Sequence, residues 1–191
     1  MMELEQAIRE RRSIGKVKPD AVERSVIEQL IEAATWAPNH YQTEPWKFIV
    51  MTGEGRRTLG RAYAAISDLG AADADDDERR QRLAREEAKA LRAPVVIAAV
   101  YSPPAGSRAP QAEELAAVHA AVQNLLLSAH GHGLGAVWRS GDPMYHPRMK
   151  EAFGLEEQEE LVGLIYIGYP DMEPLRSKRT DAKLKTVWLE E

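Results

Sequence analysis

Apolar residues recur along this chain with two periods, and the periods divide it into helices and strands. Leu4, Ala7 and Ile8 share one face of a short helix that runs into Arg9-Glu10-Arg11-Arg12. Val22, Val26, Ile27, Leu30, Ile31 and Ala34 mark a longer amphipathic helix ending near Trp36, with Asp20 as its expected N-cap and Glu23 completing a capping pair. Leu59, Ala62, Tyr63, Ile66 and Leu69 give a third helical stripe. Residues 70–77 are small and acidic and read as a surface loop, and the highly charged stretch 78–92 reads as an exposed helix. In 113–130 the apolar positions Leu115, Ala116, Val118, Ala121, Val122, Leu125, Leu126 and Ala129 wrap much of the circumference, as in a core helix. Residues 147–153 form a short helix closed by Gly154.

Residues 46–51, 94–101 and 160–168 are apolar runs that suit buried strands. Residues 136–138 make a shorter one, followed by a tight loop, Arg139-Ser140-Gly141-Asp142-Pro143. Val187-Trp188-Leu189 reads as an edge strand or an arm exchanged between subunits. About five strands and six helices are interleaved, which predicts an α/β or α+β domain with a sheet between helices. No repeat or composition break divides the chain, so one domain over 1–191 is expected.

Two stretches carry chemistry-bearing side chains. Pro38 stops a helix, Asn39-His40-Tyr41-Gln42 follows, and Pro45 opens a strand. A polar loop held between rigid elements is how sites are built, and it is equally an ordinary connection. Arg11-Arg12-Ser13 offers guanidinium forks and a hydroxyl to a phosphate, although its spacing alone favours a solvated charged helix end.

Composition narrows the classes. The 191 residues include no cysteine, which removes disulfides and thiolate chemistry. A net charge of −5 weighs against a nucleic-acid partner. No run reaches membrane-span length, and the charged N-terminus is not a signal peptide, so a cytoplasmic protein without a membrane partner is expected. The five histidines lack metal-ligand spacing, so no metal site is expected. GxSxG, P-loop and GxGxxG patterns do not occur.

Three segments taken together are more specific: Arg11-Arg12-Ser13, Ala37-Pro38-Asn39-His40 with Pro45-Trp46-Lys47-Phe48, and Trp138-Arg139-Ser140-Gly141 after a glycine-rich helix end. The combination resembles the nitroreductase family of FMN-dependent oxidoreductases, in its small single-domain bacterial subgroup, from residue 8 to about 170. The resemblance implies a nitroreductase-like α+β fold, with a central mixed β-sheet of about five strands flanked by helices. It implies FMN as cofactor, NAD(P)H as donor, a small-molecule oxidant of nitroaromatic or quinone type, and ping-pong hydride transfer. It also implies a homodimer with the flavin at the subunit interface.

By resemblance, Arg11, Arg12 and Ser13 hold the FMN phosphate and ribityl chain. Pro38, Asn39 and His40 reach the flavin bound by the other subunit, and Trp138, Arg139 and Ser140 lie near the ring. Ser128, Ala129, His130, Gly131, His132 and Gly133 correspond to a stretch associated with the nicotinamide nucleotide. Lys178 and Arg179 are candidates for a second phosphate contact, and Trp36 stands where close relatives often have arginine. No side chain is required as nucleophile or base, so no catalytic residue is assigned. The alternative is a flavin-binding or flavin-processing protein on the same fold without nitroreductase activity.

Overall fold

The computed structural model describes residues 2–69 and 75–190. In chain order its regular elements are α1 (Leu4–Glu10), α2 (Arg24–Thr35), β1 (Trp46–Thr52), α3 (Arg56–Asp68), α4 (Asp76–Lys89), β2 (Val95–Tyr101), α5 (Gln111–Gly131), β3 (Gly135–Arg139), α6 (Asp142–Tyr145), α7 (Pro147–Ala152) and β4 (Glu160–Gly168). The strands form one sheet in the order β1-β2-β4-β3, and every neighbouring pair is antiparallel.

The apolar runs explain that order. β2 is buried along its whole length and β4 at all but its first residue, so they take the centre. On one face Val95, Ile97, Ile165 and Ile167 pack against Ile27 and Leu30 of α2 and Val122 and Leu125 of α5. On the other, Val96, Ala98, Leu164 and Tyr166 pack against Leu59 of α3, Met144 of α6 and Met149 of α7. Each fully buried leucine or isoleucine contributes ~1.5–3 kcal/mol relative to exposure. Helix α4 lies on α3 and buries no residue of its own, as its charge density demands.

Several expectations change. The sheet has four strands among the described residues where five were expected, and its ladders are antiparallel where a mixed sheet was expected. Its one parallel feature is an isolated bridge from Ser13 to Ala136. The expected fifth strand finds no ladder among the described residues: Val187, Trp188 and Leu189 are solvent-exposed, Leu189 by 95%. The capping pair does not form, because α2 starts at Arg24 and its first turn carries no side-chain cap. The acidic loop is shorter than 70–77. Asp75 caps α4 through bonds from the Asp77 and Glu78 N–H groups, and residues 70–74 lie outside the described chain. The loop after β3 contains a turn of helix, α6.

The end of β3 is aimed by a packing device. The ladder between β2 and β4 slips at Ala99/Val100, leaving Val162 as the extra residue of a bulge. Trp138 Nε1 donates to the Val162 carbonyl at 3.2 Å. Gly163 makes room for the indole, since a Cβ there would stand 2.0 Å from Trp138 Nε1. Gly163→Ala is therefore expected to push Trp138 aside and to cost ~1–3 kcal/mol. Thermal melting checks it: a drop of roughly 5 °C is expected for a chain of this size, and an unchanged midpoint would show that the indole is free to move.

Candidate functional site

The segments singled out in the sequence gather around β3 and along α5. Ser13 bridges to Ala136, and the Ile14 N–H donates to the Ala136 carbonyl at 3.0 Å. Gly135 permits this approach: a Cβ there would lie 2.7 Å from the Ile14 side chain. Arg11 and Arg12 then line a cavity of about 210 Å³ with His130 and Gly133, at the C-terminal end of α5. Two segments more than a hundred residues apart thus share one wall.

That end of α5 is closed by a Schellman cap. Gly133 adopts φ 73°, the Leu134 N–H donates to Ala129 at 2.9 Å, and the Gly133 N–H donates to His130 at 3.0 Å. Ser128, Ala129, His130, Gly131, His132 and Gly133 are all part of this turn. His132 braces it, with Nδ1 donating to the Ser128 carbonyl at 2.8 Å and Nε2 lying 2.9 Å from the Gln29 side-chain amide of α2. His130 is different: its Nε2 is buried and has no partner.

The arginines at this end lack counter-charges. Arg12 Nη1 donates to the Arg9 and Arg11 carbonyls at 2.6 and 2.8 Å, capping the end of α1. Burial, then Arg12, then Arg179 lower the Arg11 pKa, so three guanidinium groups share one neighbourhood. Among the described residues, none of the three pairs with a carboxylate.

A second cavity, of about 600 Å³, opens at the other end of β3. Trp138, Arg139, Ser140 and Gly141 line it, facing Tyr63, Lys89, Arg92 and Tyr166. The Arg139 guanidinium sits 5.4 Å above the Tyr166 ring, and its Nε is buried without a partner. The Tyr63 and Tyr166 hydroxyls are 3.3 Å apart. Lys89 and Arg92 come from the end of α4 and the turn after it, which the sequence pattern marks only as an exposed charged stretch. Nothing local distinguishes them from the other cations of that helix.

The loop at 38–40 lies elsewhere in the chain. Pro38, Asn39 and His40 line a shallow cavity with Glu113, Ala116 and Ala120 of α5. His40 pairs through Nδ1 with Glu113, and Asn39 Oδ1 accepts from the Glu44 N–H at 2.9 Å. Tyr41, Gln42 and Glu44 all have positive φ, an uncommon backbone conformation for residues other than glycine. Trp36, at the entrance to this loop, is 79% exposed. From Glu113 to His130 along α5 is ~25 Å, so this loop and the arginine group of the same chain stand far apart.

Known proteins share this architecture. The sequence model of the Nitroreductase family matches residues 8–169. A Bacillus subtilis protein named "Putative NAD(P)H nitroreductase YfhC" is 36% identical over 178 residues, covering 93% of this chain and 89% of its own. The crystal structure of a nitroreductase-like family protein from Bacillus cereus superposes with a TM-score of 0.84 at 32% identity, covering 100% of this chain and 98% of that one. A Desulfovibrio desulfuricans protein crystallised in complex with FMN gives a TM-score of 0.75 at 27% identity, covering 100% and 98%. The segments around β3 and α5 thus sit within a fold and a sequence pattern already known, and this chain belongs to the nitroreductase family.

Proposed function

We propose that the chain holds one FMN along the open edge of β3 and acts as an NAD(P)H-dependent oxidoreductase on nitroaromatic or quinone acceptors. The observation that carries this reading is the group of Arg11, Arg12 and Arg179 without a carboxylate partner among the described residues. A phosphate dianion supplies the charge that such a group lacks, and guanidinium forks match its oxygens. Ser13 follows them in the chain and bridges to Ala136 on the edge of β3. Ser140 lies four residues beyond Ala136, ~13 Å along the strand, so a phosphate at Ser13 leaves the ring at the second cavity.

FMN, when bound, supplies the two-electron hydride chemistry. The chain's own work is to bind and orient it. Arg11, Arg12 and Ser13 anchor the phosphate, and His130 lines the same cavity. Trp138, Arg139 and Ser140 form the wall beside the ring, held in place by the Trp138–Val162 bond. Lys89 sets a cation in that wall. Donor and acceptor entering one cavity in turn produce ping-pong kinetics, with no side chain required as nucleophile or base.

A second copy completes the reading. An isologous dimer packed along antiparallel α5 helices sets the 38–40 loop of one copy beside the β3 edge of the other. Ala112, Ala116 and Gln123 leave an exposed stripe along α5 for such packing. The C-terminal arm supports it too, since Leu175, Leu184, Val187, Trp188 and Leu189 expose apolar surface that its own chain does not cover. The free edge of β1 and the groove of about 610 Å³ between β1 and α2, lined by Val22, Ile27, Ile31 and Val50, are where an exchanged arm would lie.

The visible spectrum of the purified protein tests the cofactor, with FMN released by denaturation and counted per chain. Flavin bands and close to one FMN per chain are expected, with a light-scattering mass of two chains. No uptake from excess FMN would remove the cofactor reading, and a flavin-loaded monomer would remove the shared site.

A further inference from the structure

The cavity at the end of β3 carries more positive charge than a flavin ring matches. Lys89, Arg92 and Arg139 line it, and among the described residues only Lys89 has a carboxylate partner, Glu86. Two guanidinium groups are left over. The Tyr63 and Tyr166 hydroxyls add no anion, because burial raises both above the ordinary tyrosine range. Arg92 and Arg139 both act on these two hydroxyls electrostatically, which places all four groups around one space. A flavin ring brings at most one negative charge in either of its two-electron states, and one cation suffices for it.

Resting on the flavin site proposed above, we infer that this cavity selects acceptors whose aromatic ring carries a carboxylate, and that Arg92 is the residue that reads the charge. Arg92 follows α4 at the rim of the cavity and is exposed, so its fork is free to close on an arriving ligand. A carboxylate accepts two parallel N–H bonds from such a fork, which a neutral substituent cannot do. The remaining walls, Val137, Met144 and Leu164 with the two tyrosines, suit the ring that bears it. Acceptors without an anionic group remain substrates, with weaker capture.

Benzoate and benzyl alcohol are a matched pair for the test, since neither is reduced and they differ in charge. Both are titrated into the FMN-loaded protein, read by the flavin absorbance and, independently of any flavin signal, by calorimetry. Benzoate is expected to bind about tenfold or more tightly than benzyl alcohol, and raising the ionic strength should erode only the benzoate affinity. Arg92→Gln should lower the benzoate-to-alcohol ratio about tenfold, while Arg92→Lys, which keeps the charge without the fork, should fall between. The ratio of kcat/KM for 4-nitrobenzoate over 4-nitrobenzyl alcohol should follow the same order. Equal affinities for the two ligands in the unaltered protein, or a ratio unchanged in Arg92→Gln, would overturn the inference. Failure to take up FMN would instead remove the cofactor reading, while calorimetry would still report the charge preference.

Discussion

Arg11→Ala is expected to weaken FMN binding by ~1.5–3 kcal/mol, about ten- to a hundredfold, because a charged hydrogen-bond partner of the phosphate is lost. Its guanidinium already sits partly buried beside Arg12 and Arg179, with no carboxylate among the described residues to relieve it. The phosphate is the only part of the cofactor that this residue is proposed to touch. Riboflavin, which lacks the phosphate, should therefore bind the variant and the parent alike. A fluorescence titration of both ligands into both proteins decides it, and an equal loss for riboflavin would show a general distortion of the site. Arg12→Ala should behave differently. Arg12 caps α1 through the Arg9 and Arg11 carbonyls, so its removal should lower the melting temperature as well as the affinity for FMN.

Lys47→Met should destabilise the fold by ~2 kcal/mol at neutral pH, less than the ~3–5 kcal/mol that breaking a fully buried ion pair costs, because Lys47 itself is partly exposed. Its partner Glu159 is only 4% exposed. Lys47 Nζ donates to both its oxygens at 2.9 and 3.0 Å, Ser102 Oγ donates at 2.6 Å, and the Glu156 N–H donates at 3.0 Å. These contacts join the start of β1, the end of β2 and the start of β4, directly below the 38–45 loop.

The pH dependence of the effect follows from the charge. Burial pushes the Glu159 carboxyl up, but Ser102, the Glu156 N–H and Lys47 together bring it below the usual carboxylate range. A depressed carboxylate contributes stability that is complete above its unfolded pKa of ~4.3 and is lost as the pH falls through its folded value. Without Lys47, burial gains weight and the carboxyl takes up its proton at higher pH. The gap between parent and variant should thus be widest near neutrality and should shrink on acidification. Urea midpoints at neutral and acidic pH measure it, and a gap independent of pH would mean that the lysine acts through packing alone.

Much of the architecture was legible in contiguous residues because the forces that set it are local. The continuous apolar runs at 94–101 and 160–168 marked the two central strands, since a strand buried on both faces has no polar side. The 3.6-residue period located α2, α3 and α5, and Pro38 and the glycines after His130 set their ends.

What the sequence could not determine depends on pairings between distant segments. Asp20 and Glu23 have the spacing of a capping pair, yet the chain enters α2 later and uses neither carboxylate as a cap. Val187-Trp188-Leu189 has strand composition, but a strand needs a neighbour, and the described residues of its own chain provide none. Lys89 and Arg92 belong to a charged helix whose cations look alike in sequence. Only the packing of α3 and α4 beside the end of β3 sets those two opposite Arg139. In the same way, Arg11 and His130 share a wall because Gly135 lets Ile14 seat against the edge of β3. Local pattern determined which elements form. Register and close packing, which act between residues far apart in the chain, decided which side chains meet.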